Sequence, residues 1–348
     1  MNIKLIETIQ LASDNVAIDT VKRKLAICCF RVGYSEYRFY NLDNLTTFTK
    51  LTFGNPAANR ALTFNRSGKF LAAAEWSDRN SGLGWVYDIT QKTHREFRMG
   101  QYQGGSWSAS FSPQARFLVV SSPFIQTQII DVNKLMSKEN DWQFIEGLEG
   151  EKMSARRFFS WSPDGKMLAS VTDQKNRIVD IWIFPNREDS QVNGISVQTA
   201  VYKDWGTDPT GVNERLGLDF SEDSRWLAAG GGTKNKGIVQ IFDVQNNTLL
   251  CESDPLDSRV DLVKFSPSGE YLISGSQNGA LTLWGVQNND LAKLNKLDET
   301  KLPGTILAIG IEKSGQSLFL ACKGKRKGLL DFFGNVEFNQ VSLSIKIL

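Results

Sequence analysis

Residues 262–274 read LVKFSPSGEYLIS: an apolar run closing on Phe265, a polar turn at Ser266–Gly269, and a second apolar run from Tyr271. Two short runs rich in β-branched and aromatic residues, separated by turn residues, read as a β-hairpin. Pro267 sits at the second turn position, where its fixed φ belongs. Gly269 then tolerates a tight or left-handed conformation.

The pattern returns along the chain. Ala61–Ala73 (ALTFNRSGKFLAA), Ser108–Val120 (SASFSPQARFLVV), Phe158–Ser170 (FFSWSPDGKMLAS) and Gly217–Ala229 (GLDFSEDSRWLAA) are clear copies. Ala308–Leu320 is weaker, and Val16–Cys28 keeps both strands but replaces the Gly turn with Val21-Lys22-Arg23-Lys24. The turn positions Arg23, Gly68, Ala115, Gly165, Ser224, Gly269 and Gly315 are separated by 45, 47, 50, 59, 45 and 46 residues, by subtraction. That spacing is in the range of β-propeller repeats.

A third strand is expected at Arg38–Tyr40, Trp85–Asp88, Gln128–Asp131, Val179–Ile183, Val239–Asp243, Ala280–Trp284 and Leu329–Phe333. A fourth, more polar one is expected at Thr47–Leu51, Glu96–Met99, Trp142–Ile145, Ile195–Thr199, Leu249–Glu252 and Lys293–Leu297. The expectation is an all-β, seven-bladed β-propeller with four antiparallel strands per blade, its ring closed so that edges are protected. It forms a single domain over 1–348, with repeats near 12–54, 55–102, 103–151, 152–211, 212–255, 256–302 and 303–348. Asn2–Ile9 and Val341–Ile347 each resemble a strand that could complete the last blade. One is expected to suffice, and the N-terminal one is favoured.

Composition agrees with a globular chain: 41% hydrophobic and 22% charged residues, with nine Trp and 21 Phe suited to sheets packed face to face. A net charge of +2 gives no reason to expect nucleic acid or an anionic membrane as main partner. Met1–Leu11 lacks a secretory pattern, and no apolar stretch approaches the roughly 18 residues of a membrane span. Cys28, Cys29, Cys251 and Cys322 form no C-x-x-C pair and are read as small buried hydrophobes in a reducing, cytoplasmic setting.

Ser266–Trp284 (SPSGEYLISGSQNGALTLW) resembles a WD repeat almost throughout, and Ser162–Trp182 is the next best match. The resemblance extends weakly over nearly the whole chain and implies a propeller that binds proteins. Its hydrogen-bonded brace of His, Asp, Ser or Thr, and Trp cannot recur here, because His94 is the single His. The Trp-Asp dipeptide is degraded to Tyr87-Asp88, Ile130-Asp131 and Phe242-Asp243. A divergent member, held mainly by apolar packing between blades, is implied.

No catalytic constellation stands out. His94 begins a polar outer strand, and there is no G-x-S-x-G, Walker loop or H-E-x-x-H. Gly230-Gly231-Gly232 lacks the strand-to-helix setting of a phosphate loop and is read as a flexible loop. No enzyme, cofactor or metal is expected.

The loops that enter the first strands carry Arg60, Trp107, Arg157, Trp205, Arg215 and Arg259, residue types enriched at binding hot spots. These six form the expected partner-binding set. Two longer repeats hold extra residues at Asn133–Met153 and Pro185–Val212, and insertions in repeat proteins often lie on the binding side. The reading is a scaffold or recognition subunit of a hetero-complex, with other proteins as partners. Its rivals are a ligand or substrate site at the channel mouth, and nucleic-acid contact through the basic loop Lys323–Lys327.

Overall fold

The computed structural model describes residues 4–12, 15–31, 34–53, 58–76, 82–99, 108–122, 125–137, 144–145, 156–172, 178–183, 195–201, 217–286, 294–302, 304–315, 317–323 and 340–347. Seven four-stranded sheets account for nearly all of them. Blade one is built from Asn15–Asp19, Lys24–Arg31, Tyr34–Asn41 and Asn44–Phe53. Blade two comprises Ala58–Phe64, Phe70–Trp76, Gly82–Asp88 and Thr93–Met99. Blade three comprises Ser108–Phe111, Phe117–Ser122, Ile125–Asp131 and the short Phe144–Ile145. Blade four comprises Arg156–Trp161, Met167–Thr172, Ile178–Ile183 and Ile195–Val201. Blade five comprises Gly217–Phe220, Trp226–Thr233, Lys236–Asp243 and Thr248–Glu252. Blade six comprises Val260–Phe265, Tyr271–Ser276, Ala280–Gly285 and Asn295–Lys301.

Blade seven corrects the sequence reading. Its strands are Ile306–Ile311, Ser317–Lys323, Gln340–Ile347 and, at the outer edge, Lys4–Ala12. Both candidate closing segments are therefore used. The C-terminal one supplies the third strand, and the N-terminal one pairs antiparallel with it. Leu329–Phe333, expected as the third strand, lies outside the described residues. Apolar alternation marks a strand without marking its order, so these segments were indistinguishable along the chain.

Successive side chains of a strand point to opposite faces, so each blade has two faces to cover. Seven apolar clusters do this, one between each pair of neighbouring blades. Tyr37 of blade one meets Trp85 of blade two edge to face at 4.7 Å, and Phe319 of blade seven packs in the cluster of Leu25 and Ile27 from blade one. First strands touch the first strands of both neighbours all the way round, which closes the ring.

The seven turns named from sequence are alike in the structure. Arg23, Gly68, Ala115, Gly165, Ser224, Gly269 and Gly315 all have φ between 51° and 75°. Asn65, Ser112, Ser162, Ser221 and Ser266 open five of these turns, each buried. Their side-chain oxygens accept from the amides of Phe70, Phe117, Met167, Trp226 and Tyr271 at 2.7–3.1 Å. The Ser of each Ser-Pro pair is thus a clamp on the hairpin, satisfying a backbone donor that the turn leaves over.

Gly230-Gly231-Gly232 is strand rather than loop. A Cβ on Gly230 would stand 2.5 Å from Val260 Cγ1 of blade six, so glycine is required by close approach of the next blade. Asp131 caps an unanticipated short helix, Val132–Met136, whose Val132 and Leu135 enter the core between blades two and three. All four cysteines are free and buried, and burial pushes the thiols of Cys251 and Cys322 up to about 11.

Alanine at Gly269 meets no atom within 4 Å and has only the left-handed backbone to oppose it, a cost of about 1–2 kcal/mol. Alanine at Gly68 carries that cost and also drives its Cβ into the buried Asp19 carboxylate and to 2.7 Å from Lys22 Cγ in blade one. Gly68→Ala is expected to lower the urea midpoint clearly more than Gly269→Ala at unchanged m. Equal shifts would show that the turn of blade one yields freely.

Candidate loop-face site

All first strands run the same way about the ring, so their N-terminal ends lie on one face with the loops between second and third strands. This is the loop face. The turns between first and second and between third and fourth strands form the opposite turn face. Arg60 and Arg157 lie within first strands at the loop face. Trp107, Trp205 and Arg215 fall outside the described residues, as do residues 324–327 of the basic loop.

A feature of register is shared by the strands that carry Arg60 and Arg157. The pairing of first and second strands slips between Asn59 and Ala61, between Arg156 and Phe159, between Val260 and Leu262, and between Ile306 and Ala308. Each slip is a bulge, a device that re-aims a side chain at a rim. The residue four places before the strand's closing apolar side chain is Arg60 (64 − 60), Trp107 (111 − 107), Arg157 (161 − 157) and Asp261 (265 − 261). Counted along the sequence, Arg60, Trp107 and Arg157 therefore hold one repeat position in three successive repeats, and the backbones of Arg60 and Arg157 lie at the loop-face ends of their strands.

Arg259 must be taken out of the exposed set. Its side chain is 8% exposed, and its Nε donates to Asp261 Oδ1 at 2.6 Å, with Asp261 itself 1% exposed. The bulge of blade six turns Asp261 inward, and a buried carboxylate demands a cation. The loop around this pair is pinned on both sides. Gly237 and Leu256 exchange backbone hydrogen bonds at 2.8 and 2.9 Å, the Gln277 amide donates to the Arg259 carbonyl at 2.9 Å, and Ser258 Oγ accepts from the Asn278 amide at 3.2 Å. What this rigid arc presents to solvent is Asp254, Pro255, Asp257, Lys234 and Lys236. Sequence reading passed over most of these because single charges in a loop carry no pattern.

The other polar groups near the axis tie blades together. Asp219 of blade five is buried; it accepts from Lys264 Nζ at 2.6 Å and from the Phe265 amide at 2.8 Å, both in blade six. Burial pushes its carboxyl above the usual range despite Lys264. His94 is exposed on the outer strand of blade two, and among the described residues no three His, Cys, Asp or Glu converge as a metal set. Removing one member of the Arg259–Asp261 pair strands a buried charge, which typically costs about 3–5 kcal/mol, whereas replacing both is far milder. Arg259→Met is expected to lower stability in urea by that order, and Arg259→Met/Asp261→Leu to recover most of it. A single variant as stable as the parent would return Arg259 to the surface.

The WD domain, G-beta repeat family model matches residues 256–285, which are the first three strands of blade six and the loop before them. The pre-rRNA-processing protein IPI3 of Scheffersomyces stipitis is 31% identical over 81 residues, spanning 21% of this chain and 15% of that protein. A chain from the crystal structure of a mitotic checkpoint complex superposes with a TM-score of 0.68 at 16% identity, covering 99% of this chain and 91% of its own. With a recognised WD repeat in blade six and the same four-stranded architecture repeated around a closed ring, the chain is a β-propeller that carries a WD repeat.

Proposed function

We propose that this propeller is a non-catalytic recognition subunit that binds other proteins through the loop-face collar of blades two to four. The observation that carries the reading is the single repeat position shared by Arg60, Trp107 and Arg157. An aromatic residue and two arginines recurring at one repeat position match the composition of a binding hot spot. A preformed scaffold spends little ordering entropy on association. Trp205 and Arg215, which fall in the sequence between the repeats of blades four and five, belong to the same proposed set.

The comparisons fit work within assemblies. One similar protein is named for pre-rRNA processing, and one similar fold comes from a multi-protein checkpoint complex. Four free, buried thiols fit a reducing, intracellular setting such as the cytoplasm. The buried polar contacts described above tie neighbouring blades together, and the reading includes no cofactor, metal or membrane.

The test is affinity capture from native extract with three baits: the parent, Arg60→Glu/Arg157→Glu, and Lys92→Glu on the opposite face. Reversal of two hot-spot charges is expected to cost about 2 kcal/mol or more for each anchor, enough to abolish a specific partner. Lys92→Glu is expected to leave that partner bound. Circular dichroism verifies that all three fold. Equal recovery on all baits rules out the collar.

A further inference from the structure

The turn face carries a second surface, and its charge is sharply divided. On blades one to four, the exposed charges at the turns among the described residues are Lys22, Arg66, Lys69, Lys92, Lys134 and Lys166, against Asp43 alone. Asp43 is already held by Arg23 at 2.6 Å. Lys22, Lys92, Lys134 and Lys166 make no ion pair among the described residues. On blades five and six the exposed charges are Glu222, Asp223 and Glu270, with Arg225 and with Lys296, which is paired to Glu299 at 2.8 Å. A chain with a net charge of only +2 has therefore gathered a basic arc on one sector of one face.

Arg66 adds a second element. It reaches from the turn of blade two to Glu222 in the turn of blade five, near the opposite side of the ring, with both side chains about half exposed at 50% and 53%. The second residue of each turn thus borders the channel mouth. In blades one, three, four and six that residue is Val21, Pro113, Pro163 and Pro267. Val21 is 60% exposed, which is unusual for a large aliphatic side chain. The arc is a strip of cations with an apolar inner rim.

We infer that this strip is a docking site for an extended acidic polypeptide segment with interspersed apolar residues. Neighbouring sheets pack about 10 Å apart, so four blades present cations over roughly 30 Å. An extended chain advances about 3.3 Å per residue, so about ten residues span the arc, with a carboxylate at about every third position facing one blade. Apolar side chains between them fall toward Val21 and the prolines. The acidic sector of blades five and six repels the same ligand and limits it to blades one to four. Among the described residues this face exposes no aromatic ring on which a base could stack, which favours a polypeptide over single-stranded nucleic acid. The ligand competes with Glu222 for Arg66.

The test is fluorescence anisotropy of the full chain with a labelled peptide of about ten residues, Glu at every third position and Ala or Leu between. Controls are the same peptide with Gln for Glu, and a uridine oligonucleotide of similar length. The Glu peptide is expected to bind, with an affinity that falls as NaCl is added. Lys92→Glu/Lys134→Glu/Lys166→Glu is expected to weaken it about tenfold or more. Glu222→Gln, which frees Arg66, is expected to tighten it, and Arg60→Glu/Arg157→Glu on the loop face to leave it unchanged. The inference is overturned if the Glu peptide does not bind, if the Gln peptide or the triple lysine variant binds as well, or if the oligonucleotide binds more tightly through the same lysines. Failure of the loop-face collar would leave these outcomes unaltered.

Discussion

A β-sheet with solvent on neither face must bury both, and every other feature of this molecule follows from how that requirement is met. Alternation along each strand sends one set of side chains to the preceding blade and the other set to the following one. In blade one, Leu25 and Ile27 pack toward blade seven while Ala26 and Cys28 pack toward blade two. Neither cluster exists without the neighbour, so a lone blade is an incomplete core and the ring is the cooperative unit. Using both chain segments in blade seven belongs to the same logic. The Lys4–Ala12 edge is stitched to Gln340–Ile347, which joins strands from opposite ends of the sequence in one sheet.

The charged residues of the turn face show how a ring can dispense with the histidine brace that the resemblance to WD repeats implied. In blade six one element survives, with Trp284 Nε1 donating to Ser274 Oγ at 2.8 Å. Elsewhere another unit appears. Lys69 lies 4.8 Å from the ring centroid of Phe70 and 3.6 Å from Asp88, and Arg225 lies 5.6 Å from Trp226 and 3.6 Å from Asp243. The carboxylates accept from turn amides, Asp88 from Thr90 and Gln91 and Asp243 from Asn246. Each unit joins the second strand to the end of the third. The contacts are individually modest at such exposed sites, but they recur with the repeat.

The two faces then serve differently. The loop face is built from strand ends, four of which carry a bulge in the pairing of first and second strands. The turn face is built from clamped hairpins whose tips vary freely because the clamp, not the tip, holds the backbone. That freedom lets charge segregate into a basic and an acidic sector without disturbing the fold.

The repeat, its period and all seven turn positions could be read along the chain, because hairpins are local and the flanking apolar runs define their centre. Even Arg23, Ala115 and Ser224, whose residue types do not favour a positive φ, were located by the runs beside them. The candidate site was legible only as composition. Arg60, Arg157 and Arg259 look equivalent in one dimension, yet Arg259 is buried because a bulge in blade six turns Asp261 inward beside it. The three glycines at 230–232 looked like a loop because the valines that exclude a side chain there lie about one blade further along the chain. Sequence by itself determined most of the strands, the first hairpin of every blade and the number of repeats, all set by interactions within about fifteen residues. Tertiary structure decided which charges are buried, which segments complete the last blade and which residues share a rim, because those depend on contacts between blades that only ring closure creates.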